Sequence, residues 1–303
     1  MKTRWKYSIV FLILVAASVW LAVLTYPKQD LRLVACDVGQ GDAILATHKS
    51  TQILIDGGSG NKVIDCLGRY MPFWDRQIEV VVLTHPQLDH YGGLIEVFER
   101  YDVKIFIANA VDASSQGYQV LKSLVGGSGV KVVNPSTGMV IGGDLMHLDI
   151  VYPTQEFLSS EKCLSTDEKQ DVLGSCTSSK DPNEFSIVAI LRYKKFNALL
   201  TGDVQPPVTD EVANILEKMS DHTVNYVKIP HHGSKNGLTK KLLEVVEPRL
   251  AVISVGKNSW GHPNEETLSM LKDKKIEILR TDEEGDVIVE SDGNSWWVLD
   301  KKD

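Results

Sequence analysis

The segment Val81-Val82-Leu83-Thr84-His85-Pro86-Gln87-Leu88-Asp89-His90, followed by Gly92-Gly93, decides how the rest of the chain is read. An apolar run ends at a histidine, and three further candidate metal donors follow within five residues. A strand that delivers its last side chains into one tight turn can aim several donors at a single point, as a metal ion requires. Two later segments repeat the device. Leu199-Leu200-Thr201-Gly202-Asp203 ends an apolar run with a carboxylate beside a glycine, and Lys228-Ile229-Pro230-His231-His232-Gly233-Ser234 ends one with paired histidines. Asp56, in Leu54-Ile55-Asp56-Gly57-Gly58, also closes an apolar run. Any one of these carboxylates alone would read as an ordinary loop residue. Together they describe carboxylates and imidazoles at several strand ends on one rim, the geometry of a metallohydrolase.

Outward from these points, short apolar runs alternate with polar, Gly-rich loops. Strands are expected at 31–35, 53–55, 80–83, 105–107, 148–151, 187–191, 198–200, 226–229, 251–255 and 276–279. Helical spacing marks 94–101, 118–125, 208–219, 238–246 and 265–272. The last part, 286–298, reads as a hairpin turning at Asp292-Gly293-Asn294. This order suggests sheets covered by helices on their outer faces. Residues 154–184 depart from the pattern, being rich in Ser, Asp and Lys, and read as a surface insertion.

The composition supports a folded domain: 303 residues, 43% hydrophobic and 24% charged, which excludes disorder and low-complexity architectures. A net charge of −8 leaves no general basic surface for nucleic acid, so a phosphate must be held by local features. The four cysteines form no C-x-x-C pair, which argues against a zinc ribbon or a thioredoxin-type site. No G-x-S-x-G nucleophile elbow is present.

At the N-terminus, Lys2, Arg4 and Lys6 precede an uncharged stretch from Ile9 to Tyr26, closed by Pro27. Eighteen helical residues span about 27 Å, close to the hydrocarbon thickness of a bilayer. Residues 1–29 are therefore expected to be a transmembrane anchor, with a cleaved signal peptide as the rival and a buried core helix as the third choice. The run is longer than a usual signal core, and its exit lacks a small-x-small cleavage pattern. In both leading readings the basic flank stays in the cytoplasm and residues 30–303 lie outside it, membrane-bound or secreted.

The ordered motifs resemble the metallo-β-lactamase superfamily, whose signature is H-x-H-x-D-H followed by a lone Asp and a further His. Asp37-Val38-Gly39-Gln40-Gly41-Asp42-Ala43, Thr201-Gly202-Asp203, Pro230-His231-His232-Gly233-Ser234 and Gly261-His262-Pro263 are similar to one branch. That branch comprises the extracytoplasmic hydrolase domain of the DNA-uptake channel protein ComEC and its stand-alone relatives. The resemblance implies a four-layer αβ/βα sandwich, α/β in class, preceded here by one transmembrane helix.

It further implies that His85, Asp89, His90, Asp203 and His231 are metal ligands, with Asp203 bridging two ions and Asp56 orienting a ligand by hydrogen bonds. Gln87 stands at the place of the second signature histidine, and Asn183 where many members carry another. The first metal position then has His85, Asp203 and two weak amide oxygens, which implies partial occupancy. Oxygen donors move the preference from zinc toward manganese or magnesium. Of the adjacent pair, His231 is expected as the ligand and His232 as outer support or a substrate contact. Ser234 and Lys235 could donate to a phosphate, and His262 could protonate a leaving group or stand as a surface histidine. The Asp37–Ala43 turn has no metal role in this pattern.

The reaction implied is hydrolysis by metal-bound hydroxide, with Asp89, Asp203 and His262 as the catalytic residues and two divalent ions, Mn2+ or Zn2+, as cofactors. The substrate implied is a phosphodiester in DNA, single-stranded, delivered near a DNA-uptake channel. A small phosphodiester or a lactam is the enzymatic alternative, and a binding module without turnover the other. Cys163 and Cys176 are expected either bridged or free, whereas Cys36 and Cys66, in core elements, are expected reduced.

Overall fold

The computed structural model describes residues 2–24, 29–143, 145–163 and 173–299. Part of the anticipated helix exit at 25–28, and 164–172 of the anticipated insertion, lie outside them. Two sheets face each other. The first has eight strands, in spatial order Trp296–Leu299, Val287–Ser291, Leu31–Ala35, Ile44–His48, Thr51–Ile55, Gln77–Leu83, Asp102–Ala108 and Lys131–Val133. The second has seven: Glu277–Arg280, Leu250–Ile253, Tyr226–Lys228, Phe196–Leu200, Val188–Tyr193, Met146–Tyr152 and Val140–Gly142.

Strand periodicity assigns the faces. In the first strand Leu31, Leu33 and Ala35 point to the inter-sheet core, where they join Ile53, Val82, Leu148, Leu191 and Val252. The alternate Val34 and Cys36 point outward, onto the helices Lys62–Tyr70, Leu88–Arg100 and Gln116–Ser128. On the opposite side the helices Val208–Lys218, Lys240–Val246 and Glu265–Asp273 cover the second sheet through Val212, Leu216, Leu242 and Leu271. Helix, sheet, sheet, helix is the expected four-layer order. Both faces of each sheet are buried, which is why the strands read as apolar runs.

The C-terminal hairpin pairs with the first strand, Leu33 opposite Val289, so the end of the domain closes beside its beginning. In the described part of the expected insertion, Thr154 caps the helix Gln155–Ser160, and Leu158 and Cys163 form a small buried cluster with Phe185. Cys163 and Cys176 are bridged. Cys36 and Cys66 are bridged as well, which corrects the expectation that they stay reduced. The end of the first strand and the inner face of the helix Lys62–Tyr70 pack against each other, bringing two buried thiols within bonding reach.

Residues Lys2–Leu24 form a helix whose described apolar side chains are exposed. Among the described residues no helix is long and apolar enough to cross a membrane, so the transmembrane part of the expectation is not met there.

Candidate metal centre

The site lies at one edge of the sandwich, where strand-end loops of both sheets meet. From the first sheet, Gln77–Leu83 delivers Thr84 and His85, and the helix Leu88–Arg100 carries Asp89 and His90 in its first turn. Gln87 is the N-cap of this helix but makes no capping bond with its side chain, which lies on the cleft wall. The helix can approach because Gly93 has no side chain: a Cβ there would lie 2.1 Å from the carbonyl oxygen of Gly57.

Asp56 closes the strand Thr51–Ile55 in a left-handed conformation, φ 59°. One carboxylate oxygen accepts from Thr84 N at 2.8 Å, and the other accepts from Thr84 Oγ1 at 2.7 Å. The second oxygen also meets His90 Nδ1 at 2.7 Å. With Nδ1–H committed to Asp56, His90 presents Nε2, as a metal-binding imidazole does.

From the second sheet, Phe196–Leu200 runs into Asp203, whose backbone N donates to Ser186 Oγ at 3.1 Å. Tyr226–Lys228 leads to the turn Pro230–Gly233, in which His231 (φ 50°, ψ 48°) and His232 (φ 53°, ψ 27°) are both left-handed. Two consecutive non-glycine residues in that region mark a conformation imposed by its surroundings. The turn sends His232 inward and leaves His231 on the cleft wall. His232 Nδ1 donates to Ser254 O at 2.9 Å, and Nε2 lies 3.2 Å from Asp203 Oδ2 and 3.4 Å from Asp89 Oδ2. His90 Nε2 reaches the same Asp203 oxygen at 3.2 Å.

Four donors, from Asp89, His90, Asp203 and His232, thus lie within 4.8 Å of one another. The fold thus brings His232, and not the expected His231, to this donor set, because the turn sets which ring faces the carboxylates. The fit to a divalent ion is good. The Nε2 atoms of His90 and His232 are buried without a hydrogen-bond partner, and two imidazoles with two carboxylates suit zinc or manganese.

His85 stands beside this set, its ring centroid 4.1 Å from that of His90 and its Nε2 buried without a partner. Its Nδ1 faces Thr84 Oγ1 and Ser186 Oγ at 3.1 and 3.3 Å. Asn183 is buried three residues before Ser186, with an unpartnered Oδ1. His262 lies on the cleft wall, 5.5 Å from the His231 ring. Ser234 and Lys235 are not brought to the cleft. The Ser234 hydroxyl accepts from Asn236 N within its own loop, and Lys235 is exposed.

Two site residues escaped the sequence reading. Lys228, buried at the end of its strand, donates to Gly202 O at 2.8 Å, to Asp203 Oδ1 at 3.1 Å and to Asp42 Oδ2. Asp42 also lies 3.4 Å from His232 Nδ1, so the Asp37–Ala43 turn belongs to the site. Asp42 follows a glycine in a turn beyond a strand, the signal used for Asp203. Lys228 gives no such signal inside an apolar strand.

The charges interlock. Burial disfavours the Asp203 carboxylate, but His232, Lys228 and His90 outweigh it and hold its pKa well below the ordinary range. Burial likewise opposes charge on His90 and His232, yet Asp203 with Asp56, and Asp203 with Asp42, raise both imidazoles well above theirs. His85 behaves oppositely: burial and then the His90 charge push it down to about 3.

A profile of the metallo-beta-lactamase superfamily matches residues 36–257. The chain belongs to that superfamily. It is 23% identical over 300 residues to ComE operon protein 3 of Bacillus subtilis, covering 90% of this chain and 35% of that one. It is 25% identical over 273 residues to Recombination protein 2 of Haemophilus influenzae, covering 86% and 29%. The chain therefore spans about a third of the length of these relatives, which agrees with the ComEC-like resemblance of its motifs. The metallo-beta-lactamase fold protein YhfI from Bacillus subtilis superposes with a TM-score of 0.52 at 11% identity, over 86% of this chain and 100% of the other. CmlA, a diiron beta-hydroxylase from Streptomyces venezuelae, gives 0.52 at 15%, over 90% and 55%. At such identities the structures speak for the fold. Family and donor set together describe a metal-dependent hydrolase of the metallo-β-lactamase fold.

Proposed function

We propose that this hydrolase is a ComEC-like phosphodiesterase that cleaves DNA strands outside the cytoplasmic membrane. The observation that carries the reading is the complete four-donor set, Asp89, His90, Asp203 and His232, at the base of a cleft walled by His231 and His262. A bound divalent ion would supply an activated water and neutralise charge developing on the phosphate. Asp56 and Ser254 O fix the His90 and His232 rings so that both Nε2 atoms face that ion. His231 and His262 lend their rings to phosphate oxygens, and His262 carries a proton to the leaving group. The four donors would hold one ion, and His85 with the amide oxygens of Gln87 and Asn183 would hold a second more weakly. A module that only binds would not need this set intact.

The DNA substrate draws support from the relatives, one of which is named a recombination protein and the other a product of the ComE operon. The place draws support from Lys2, Arg4 and Lys6 together with the exposed apolar side chains of the helix Lys2–Leu24, a surface suited to contact with a membrane face. Two disulfides suit that oxidising side. A DNA-uptake channel would be the natural partner. The test is metal analysis of the purified protein, followed by cleavage of single-stranded DNA with Mn2+ that EDTA stops and fresh Mn2+ restores. Wild type should cleave while Asp203→Ala and His232→Ala do not. Equal cleavage by all three would refute the reading.

A further inference from the structure

We propose that Trp260 is a nucleobase platform: one unpaired base of a substrate strand lies on its indole while the adjoining phosphodiester enters the donor set. This rests on the phosphodiesterase reading and adds which feature of the strand is recognised.

Trp260 is 69% exposed, yet its backbone is pinned. The Asn258 side chain staples the loop, donating from Nδ2 to Gly256 O at 2.9 Å and to His262 O at 2.8 Å. Its Oδ1 accepts from Trp260 N at 3.1 Å and from His262 N at 3.0 Å. Gly256 is itself pressed against the Asp37–Ala43 turn, where a Cβ would lie 2.4 Å from Gly39 C. A large aromatic ring held in water on a braced loop leaves its face open to contact.

The ring lines the same cleft, about 590 Å³ in volume, as Asp89, His231, His232 and His262. It is joined to the donor set through rings: Trp260 to His262 at 6.3 Å, His262 to His231 at 5.5 Å, and His231 to His232 at 6.1 Å between centroids. Leu88, 57% exposed, adds a second apolar surface to the cleft.

Charge supplies the remaining argument. Among the described residues, no Lys or Arg lines the cleft, and the chain carries a net charge of −8. The walls of the cleft therefore offer no basic track for the strand backbone, which is how duplex DNA is ordinarily gripped. An exposed indole offers the alternative, a stack that accepts every base because every base has a π-face. Paired bases keep their faces inside the helix. The cleft therefore selects unpaired ends, loops and single strands.

The test compares a fluorescent oligothymidylate with a strand of equal length built from abasic spacers, which has the same phosphates and no bases. Anisotropy titrations in EDTA use the full chain as wild type, Trp260→Ala and Trp260→Phe. Wild type should prefer the thymidylate. Trp260→Ala should lose about tenfold or more for that strand, the size of one lost base–aromatic stack, and nothing for the abasic one. Trp260→Phe should keep most of the preference. With Mn2+, Trp260→Ala should raise KM for thymidylate while kcat stays close to wild type. A wild type without preference for the thymidylate, or a Trp260→Ala protein that retains it, overturns the platform. The two proposals fail separately. A strand preference lost in Trp260→Ala, without any cleavage in Mn2+, ends the phosphodiesterase reading and leaves the platform. Cleavage with equal KM in both proteins does the reverse.

Discussion

Lys228 Nζ lies 3.1 Å from Asp203 Oδ1, while His90 and His232 share the other oxygen of the same carboxylate at 3.2 Å each. Asp203 thus faces a permanent cation on one side and the candidate metal position on the other. Lys228→Met would leave Asp42 and Asp203 buried with His232 and His90 as the groups still facing both of them. Metal-free, this variant should be about 3–5 kcal/mol less stable to urea than wild type. Added Mn2+ should recover part of the loss. Unchanged stability in EDTA would show that the lysine is not the counter-charge described.

The adjacent histidines give a direct comparison. His232→Ala should lose the bound ion, read by elemental mass spectrometry of dialysed protein, because its Nε2 faces two carboxylates. His231→Ala should keep the ion and lose activity. If the two results are exchanged, the left-handed turn does not have the form described.

His85 predicts a pH dependence. In the unfolded chain its imidazole takes up a proton near the ordinary 6.5, whereas in the fold it remains neutral down to about 3. The unfolded state binds the extra proton across that interval, so this residue's contribution to stability is present above 6.5 and is lost as pH falls toward 3. The slope is up to about 1.4 kcal/mol per pH unit. His85→Gln should flatten the fall of unfolding free energy between about pH 6.5 and 4.5, measured with urea in EDTA. A slope equal to that of wild type would mean that His85 titrates normally.

The cysteines allow a count. Both pairs are bridged and no described cysteine is free, so denatured, unreduced protein should show no reactive thiol. Two thiols would mean that one bridge is absent. Cys66→Ala opens a loop with a sequence separation of 30, and should cost about 3–4 kcal/mol by the chain-entropy relation.

Where one residue type carries one message, the sequence could be read. Asp56, His85 and Asp203 follow apolar runs, Asp89 and His90 lie within five residues of His85, and the fold brings all five to one rim. The strand Ile44–His48 was hidden by the glycine turn before it, and Lys131–Val133 and Val140–Gly142 are too short and exposed to show a period. The helix at His90 begins at Leu88 instead of 94, since Gly92 and Gly93 look like a break in sequence but serve close packing. Choosing between His231 and His232 depends on two positive φ angles that no pattern encodes. Lys228 is buried because two distant carboxylates meet it, and the cysteine error came from treating burial as a bar to oxidation.

The donor set draws Asp89 and His90 from the helix that follows a strand of the first sheet and Asp203 and His232 from turns that follow strands of the second, so an ion held there would act as a stitch between the two halves of the sandwich. Its binding free energy would add to cohesion by mass action. Metal supply would then govern how long each molecule survives as well as how fast it works. In a cell, a ligand substitution or metal starvation would register first as faster turnover and lower abundance of the protein.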